Sequence, residues 1–224
     1  FTMRDSYRDE LNATTELIVT VAGLVRTAVQ DATTALVTAD LTVAERVISG
    51  DARIDELTKE IEQRSFQLLA RQAPVAGELR TVVAVLRMSY SLDRMGDLAA
   101  HIAKIARLRY PEVAAPEPVA DQIKQMAETA DSMIATAITT LENRDAEAAA
   151  GLATADSKMD ELRSDQFHLL LSDDWEYGVE KAVDTALLGR YYERIADHAV
   201  AMGARTIYIV TGEAPEGENW PSSF

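Results

Sequence analysis

The 224-residue sequence contains no cysteine, and this absence excludes several kinds of site. Disulfides, iron–sulfur clusters, thiol catalysis and cysteine-ligated zinc all need thiol groups. Proline and glycine are also scarce, with six and ten residues, whereas Ala, Leu, Val and charged residues are plentiful. This composition is typical of long helices rather than of a β-sandwich or a β-barrel.

The sequence also lacks a long hydrophobic run. No uninterrupted apolar stretch approaches the roughly 18 residues that a transmembrane helix needs. The most apolar run, residues 82–86, lies between Arg80 and Arg87. The N-terminal residues are charged and do not have the pattern of a signal peptide. We therefore expect a cytoplasmic protein that reaches a membrane only through its partners.

The sequence has few positive charges, since its 22 Lys and Arg residues are outnumbered by 37 Asp and Glu residues. The resulting net charge of −15 repels the phosphate backbone of nucleic acids, which are therefore not expected as partners. The sequence also has no glycine-rich phosphate loop, no GxSxG motif and no dinucleotide fingerprint. These absences predict that the protein is not an enzyme.

Apolar residues recur at helical spacing along almost the whole chain, which predicts an all-α fold. Thr42 and Glu45 have the spacing of a capping box at the start of the second helix, with Thr42 as the cap. Pro74 suits the first turn of the third helix. The predicted helices cover about residues 11–40, 42–73, 74–110, 119–141, 146–171 and 176–211.

The chain contains an internal repeat on either side of a proline-rich segment, residues 111–118. Residues 93–97 match residues 193–197, and residues 51–57 match residues 156–162. The repeat predicts two related three-helix bundles with pseudo-twofold symmetry, since helices of this length bury their apolar stripes only in bundles. The predicted divisions are a first bundle (4–110), a linker (111–118), a second bundle (119–211) and a mobile tail (212–224).

Each repeat carries two pairs of acidic residues four positions apart, and such pairs share one helix face. The pairs are Asp51/Asp55 and Asp93/Asp97 in the first repeat, and Asp156/Asp160 and Glu193/Asp197 in the second. A hard cation would turn the repulsion within a pair into attraction, because it prefers several carboxylate oxygens. A single pair has little meaning in so acidic a chain, but four pairs at matching positions favour metal binding. A solvated helix surface stays the alternative.

The small residues within two of these motifs, Gly96 and Ala196, would allow another helix or a hydrated metal to approach. Of the three histidines, His101 lies one turn beyond an acidic pair, and His198 points away from its neighbouring pair. Asp165 and His168 form a single Asp-x-x-His motif. Di-iron carboxylate bundles need two such motifs facing the interior, so this class is disfavoured.

Three arginines, Arg80, Arg87 and Arg94, recur at intervals of seven on the predicted third helix. We expect either a solvated, salt-bridged edge or a contact surface for an acidic partner. Arg94 also follows the first acid of its motif, and we expect it to form a salt bridge with a nearby carboxylate.

The motifs resemble those of the PhoU family, the accessory regulators of bacterial phosphate uptake. Residues 71–80, followed by residues 92–97, are similar to that family's signature around its third helix. Residues 193–199 are similar to the second copy of the motif. The resemblance covers about residues 5–212 and is specific in the combination of motifs rather than in any single one.

The resemblance implies metal clusters of iron or zinc on the surface of the bundles. One site would use Asp51, Asp55, Asp93 and Asp97, and the other Asp156, Asp160, Glu193 and Asp197. The sequence departs from the family motif at Asp93, where aspartate replaces glutamate and shortens the reach by one methylene. The first helix also contributes few acidic residues toward the first site.

The resemblance further implies a regulatory adaptor that represses the phosphate-starvation response when phosphate is plentiful. Such a protein would couple the ATPase of the phosphate ABC transporter to a sensor histidine kinase, and we expect it to be a homodimer. We hypothesise that the arginine-bearing third and sixth helices form the partner face. The alternatives are a helical scaffold without metal and, less favoured, a di-metal carboxylate enzyme.

Overall fold

A computed structural model describes residues 3–71, 73–74 and 76–214 of the chain. These residues form six α-helices and no strands, which confirms the predicted all-α class. The helices are α1 (Met3–Thr38), α2 (Leu41–Arg71), α3 (Ala76–Arg109), α4 (Val119–Asn143), α5 (Ala146–Leu170) and α6 (Gly178–Thr211). In the described part of the chain, every helix is too short or too polar to cross a membrane.

Four predicted helix starts differ from the structure. α1 begins at Met3 instead of about residue 11, and α6 begins at Gly178 instead of about residue 176. The starts of α2 and α3 differ for local reasons. The side chain of Asp40 accepts a hydrogen bond from the Val43 backbone N–H at 3.0 Å, so Asp40 caps α2. The prediction of a capping box with Thr42 as the cap is therefore wrong, because the helix begins one residue earlier. α3 begins at Ala76, so Pro74 precedes the helix instead of occupying its first turn.

The six helices form two three-helix bundles, α1–α3 and α4–α6, that pack together along α3 with α6 and α1 with α4. Their apolar faces merge into one core, in which Leu92 of α3 and Ile195 of α6 are fully buried. Ala114 and Ala115 of the segment between the bundles are also buried in this core. The segment therefore contributes to the packing of the two halves.

Polar contacts also join the two bundles across this interface. They include Arg26 with Asp131, Arg109 with Asp184, and Thr33 with Tyr192. Arg109 donates to both carboxylate oxygens of Asp184 at 2.6 and 3.1 Å, and Asp184 is buried. Bidentate pairs of this kind fix orientation as well as adding energy, so they hold α3 and α6 in register.

The C-terminal end of α6 is capped by Gly212, which has a left-handed conformation with φ 78°. Most of the predicted mobile tail, residues 212–224, lies outside the described residues. The predicted division into residues 4–110 and 119–211 stays a prediction about folding units, since both halves share one core.

Candidate metal centres

The first acidic cluster, Asp51, Asp55, Asp93 and Asp97, lies where α2 packs against α3. Gly96 makes this close approach possible. A Cβ atom at position 96 would lie 2.9 Å from Asp51 Oδ1 and 3.1 Å from the side chain of Ile54. The prediction that the small residue at position 96 admits a neighbouring helix agrees with this packing.

Three members of the first cluster converge on one point. Asp51, Asp55 and Asp97 each offer a carboxylate oxygen, and these oxygens all lie within 4.8 Å of one another. The fourth member, Asp93, accepts a hydrogen bond from the Thr58 hydroxyl at 3.2 Å. Burial and a hydrogen bond with Asp55 raise the pKa of Asp93 above its ordinary value. The geometry brings four acidic side chains from two helices to one half-buried surface.

The electrostatics of the first cluster favour a cation. Burial raises the pKa of Asp51 to about 6, and repulsion from Asp55 adds to the rise. Within the described residues, Asp51 Oδ1 is shielded from solvent and has no hydrogen-bond partner. Such orphaned polar atoms are rare in folded proteins, and a bound cation would satisfy this oxygen. The first cluster therefore fits a metal ion.

The second cluster, Asp156, Asp160, Glu193 and Asp197, lies at the equivalent contact of α5 with α6. Burial and the neighbouring charge of Asp197 raise the pKa of Asp156 to about 6. Burial and repulsion from Glu193 raise the pKa of Asp197. Asp156 Oδ1 is buried without a hydrogen-bond partner in the portion of the chain that is described. The second cluster therefore repeats the orphaned oxygen and the raised pKa values of the first, but Asp160 and Asp197 are more exposed than Asp55 and Asp97.

The second cluster differs in having arginines bound to one of its acids. Arg163 Nε donates to Glu193 Oε2 at 3.0 Å, and Arg190 forms a second ion pair with Glu193. Arg163 also donates to Gln166 at 2.8 Å and stacks on the ring of Phe167 at 4.3 Å. Among the described acidic and histidine residues, the first cluster alone brings three ligand atoms within 4.8 Å of one another.

Arg163 and Thr58 were not among the residues singled out from the sequence. The signal was present in the repeat, because the offset of 105 that relates Asp51 to Asp156 also relates Thr58 to Arg163. Both positions hold a donor that contacts the first acid of the neighbouring motif, Asp93 or Glu193. The aligned repeats therefore identify both positions once the helix contact is known.

The histidines lie outside the convergent group of oxygens. The ring of His101 is exposed and stacks on Tyr191 of α6, with 5.6 Å between ring centroids. His198 is half-buried, and burial followed by the charge of Arg194 lowers its pKa. The stacking indicates that His101 contributes to the contact between α3 and α6.

The three arginines of α3 have different surroundings. Arg94 donates to Asp97 at 2.9 Å, so the predicted salt bridge is present. Arg87 is exposed, whereas Arg80 is half-buried near Gly212, where a Cβ atom would lie 3.7 Å from the Arg80 guanidinium carbon. The interval of seven therefore does not produce a uniform exposed edge, and the partner-binding role of these arginines stays a prediction.

The fold and the clusters define a class: a tandem pair of three-helix bundles with carboxylate clusters at matching helix contacts. Asp165 and His168 are both exposed on α5, whereas di-iron enzymes direct such residues into the bundle. The family model described as "PhoU domain" matches the chain twice, at residues 18–106 and 123–206, with one match in each bundle. The chain belongs to the PhoU family.

Curated relatives and solved structures agree with this assignment. The chain is 41% identical, over 99% of its length and all of the relative, to "Phosphate-specific transport system accessory protein PhoU homolog 1" of Mycobacterium leprae. It is 42% identical to PhoU homolog 2 of Mycobacterium tuberculosis, over 95% of the chain and all of the relative. Crystal structures of PhoU from Pseudomonas aeruginosa and Streptococcus pneumoniae superpose with TM-scores of 0.87 and 0.85, each at 26% identity.

These two structures are matched over nearly their whole length. The first alignment covers 92% of this chain and 100% of the other, and the second covers 94% and 99%. The curated relatives are named as accessory proteins. The predicted family is confirmed, and so is the prediction that the protein is not an enzyme.

Proposed function

We propose that the protein is a cytoplasmic regulatory adaptor that represses phosphate uptake and phosphate-starvation signalling when phosphate is plentiful. The observation that carries the proposal is membership of the PhoU family over both bundles. The relatives are named as accessory proteins of the phosphate-specific transport system. A role in the regulation of phosphate transport follows from this family, and the adaptor mechanism is the finer part of the proposal.

The adaptor would contact the ATPase of the phosphate ABC transporter and a sensor histidine kinase, as a homodimer. The charge of −15 favours basic partner surfaces over most of the molecule. Arg87 and Arg94 are two exposed cations of α3 that would contact an acidic patch on a partner. Charge reversal at both positions should weaken partner binding in a protein that stays folded.

A metal ion, iron or zinc by family resemblance, would bind each cluster. In the first cluster Asp51, Asp55 and Asp97 would hold it, with Asp93 beside them. The support is the convergence of three oxygens and the orphaned Asp51 Oδ1. The ion would supply positive charge that offsets the repulsion among the carboxylates.

In the second cluster, Asp156, Asp160 and Asp197 would be the principal ligands, since Glu193 is already bound by Arg163 and Arg190. The orphaned Asp156 Oδ1 supports this assignment. Because the arginines compete for Glu193, we expect the second cluster to bind a metal ion more weakly than the first.

Metal content measured by plasma mass spectrometry tests this part of the proposal. The protein is purified without a nickel column and compared with Asp51→Asn/Asp97→Asn and with Asp156→Asn/Asp197→Asn. A matched control, Glu56→Gln/Glu60→Gln, removes an i,i+4 acidic pair of α2 whose members form ion pairs with Arg53 and Arg64. We expect each cluster variant to lose metal and the control to keep it.

Protein that stays metal-free after reconstitution with iron and with zinc would contradict the metal part and leave an adaptor without metal. The regulatory part is tested separately in a bacterial strain that lacks its own member of the family. Wild-type protein should restore repression of a phosphate-starvation reporter in high phosphate. A folded, expressed protein that leaves the reporter active would contradict the regulatory role.

A further inference from the structure

One end of the molecule, where α1 and α3 begin and α4 ends, contains an open cavity of about 420 Å³. Arg4 and Arg8 of α1 line one part of it, and Arg144, which follows α4, lines another. Such a concentration of arginine is unexpected in a chain with a net charge of −15. The cavity is therefore a local exception to the charge of the molecule.

The positive charge of this cavity is incompletely neutralised by the protein. Arg8 pairs with Glu78, with 3.2 Å between Nε and Oε1. Over the described ranges, Arg4 and Arg144 form no ion pair. Other arginines, such as Arg109 with Asp184, are bound to carboxylates of neighbouring helices. Two uncompensated guanidinium groups thus line a single cavity.

The two arginines of α1 repel each other, and the Glu78 carboxylate offsets only Arg8. Arg4 and Arg8 are four residues apart, so they share one face of the helix, and like charges at this spacing repel. An anion between the guanidinium groups would convert this repulsion into attraction. Guanidinium groups bind phosphate oxygens through paired N–H donors, which makes arginine well suited to such a ligand.

The start of α3 adds a second source of positive potential. Ala76 and Gly77, in the first turn of this helix, line the same cavity. The first N–H groups of a helix have no partner within the helix, and the helix dipole is positive at this end. Helix N-termini bind phosphate groups for both reasons. Glu78 of the same turn also lines the cavity, where it offsets the charge of Arg8. The remaining positive potential in this space comes from Arg4, Arg144 and the helix start.

We infer that this cavity binds a small free anion that carries phosphate groups, such as a diphosphate or a phosphate ester. A volume of about 420 Å³ exceeds that of a single phosphate ion and lies within the range of small-molecule sites. Gly77 lies about 24 Å along α3 from Asp93, given the helical rise of 1.5 Å per residue. By the same rise, Ala146 at the start of α5, two residues after Arg144, lies about 15 Å along that helix from Asp156. The site is therefore separate from both carboxylate clusters.

Isothermal titration of the full-length, metal-free protein with pyrophosphate and with inorganic phosphate tests the inference at constant, low ionic strength. Metal-free protein is required because metal ions in the clusters would bind the same probes. The test variant is Arg4→Gln/Arg144→Gln. The control, Arg107→Gln/Lys124→Gln, removes two exposed cations outside the cavity and changes the net charge equally.

Pyrophosphate should bind more tightly than phosphate, and the test variant should lose at least about tenfold in affinity while the control stays within twofold. In NMR spectra of the wild type, pyrophosphate should shift the backbone amide of Gly77. The inference is overturned if pyrophosphate does not bind, if it binds the test variant as tightly as the wild type, or if both variants weaken equally. Equal weakening would indicate a response to net charge rather than a site.

Discussion

The first and second clusters occupy equivalent helix contacts in the two repeats. They differ in the side chain that donates a hydrogen bond to Asp93 of α3 or to Glu193 of α6. In the first repeat the Thr58 hydroxyl donates to Asp93 at 3.2 Å. In the second repeat the Arg163 guanidinium donates to Glu193 at 3.0 Å. A hydroxyl leaves the negative charge of the cluster in place, whereas a guanidinium compensates one unit of it.

This difference extends to the small residues at the two helix contacts. Gly96 lets Asp51 approach α3 in the first repeat, and Ala196 stands at the equivalent position in the second. In the second repeat the small residue is Gly189, where a Cβ atom would meet Gln166 Oε1 and would lie 2.5 Å from an Arg163 nitrogen. The glycine at the helix contact therefore accommodates a carboxylate in the first repeat and the side chains of Gln166 and Arg163 in the second.

Replacement of Arg163 should have the largest effect on stability. Arg163→Thr removes the buried partner of Glu193 and gives the second repeat the residue of the first. Loss of one member of a buried ion pair costs about 3 kcal/mol, at the lower end of the usual range because Glu193 is 22% exposed and keeps Arg190. Urea denaturation of the metal-free protein, followed by circular dichroism, measures the loss.

The matched control is Arg53→Thr, which breaks an exposed ion pair with Glu56 and should change stability by less than about 0.5 kcal/mol. Metal titration should also show tighter binding by the second cluster of Arg163→Thr. A loss below about 1 kcal/mol would mean that Arg163 does not neutralise Glu193 in the way its contacts indicate.

Enlargement of Gly96 should have the next largest effect. Gly96→Ala places a Cβ atom 2.9 Å from Asp51 Oδ1 and 3.1 Å from Ile54, so α2 and α3 must separate or Asp51 must move. Overpacking of this kind costs about 2 kcal/mol. Thermal unfolding measures the loss, and weaker metal binding by the first cluster should accompany it.

Gly23→Ala serves as the control because a Cβ atom at position 23 would meet no atom within 4 Å. Alanine at an open helical position raises stability by up to about 1 kcal/mol over glycine. The two substitutions should therefore have opposite signs. If Gly96→Ala were as stabilising as Gly23→Ala, the close contact of the two helices would not exist in solution.

Removal of the Thr58 hydroxyl should have a smaller effect. Thr58→Val keeps the shape of the side chain and deletes the hydroxyl, whose one proton is shared between the Asp55 carbonyl at 3.0 Å and Asp93 at 3.2 Å; this loss costs about 1 kcal/mol. Chemical denaturation measures the change, with Thr27→Val, which removes an exposed hydroxyl bonded to the Gly23 carbonyl, as the control. A neutral outcome at Thr58 would show that the two repeats do not hold Asp93 and Glu193 by equivalent donors.

The pH dependence of stability should be similar in both repeats. Burial raises the pKa of Asp51 and of Asp156 to about 6 in the folded protein, above the ordinary value of 3.8. Between these values the folded state binds more protons than the unfolded state, so stability rises as pH falls from 7.5 toward 5. Thermal melts of the metal-free protein measure this rise.

Asp51→Asn and Asp156→Asn should each melt above the wild type at pH 7.5, because neither variant buries a charge at that position. Each difference should shrink at pH 5, where the wild-type carboxyl is protonated. A difference that is independent of pH would show that these carboxyls are not the titrating groups. Unequal behaviour of the two variants would show that the repeats differ in burial as well as in their donors.

Local patterns in the sequence were sufficient to predict six helices, the repeat and the four acidic pairs. Apolar spacing determines which face of a helix is buried, and i,i+4 spacing determines which acids share a face. The helix starts were not all predicted correctly. Asp40 and Thr42 are both residue types that cap helices, and in the structure Asp40 accepts the capping hydrogen bond.

What the tertiary structure decided is which residues meet across helices. Asp97 joins Asp51 and Asp55 from a position more than 40 residues away, and Arg163 meets Glu193 across a helix contact. The cavity at the end of the bundle unites Arg4 and Arg144, which are 140 residues apart in the sequence. Periodicity orients each helix toward the core, but the rotation and offset between packed helices come from side-chain packing, which the pattern of one helix does not contain.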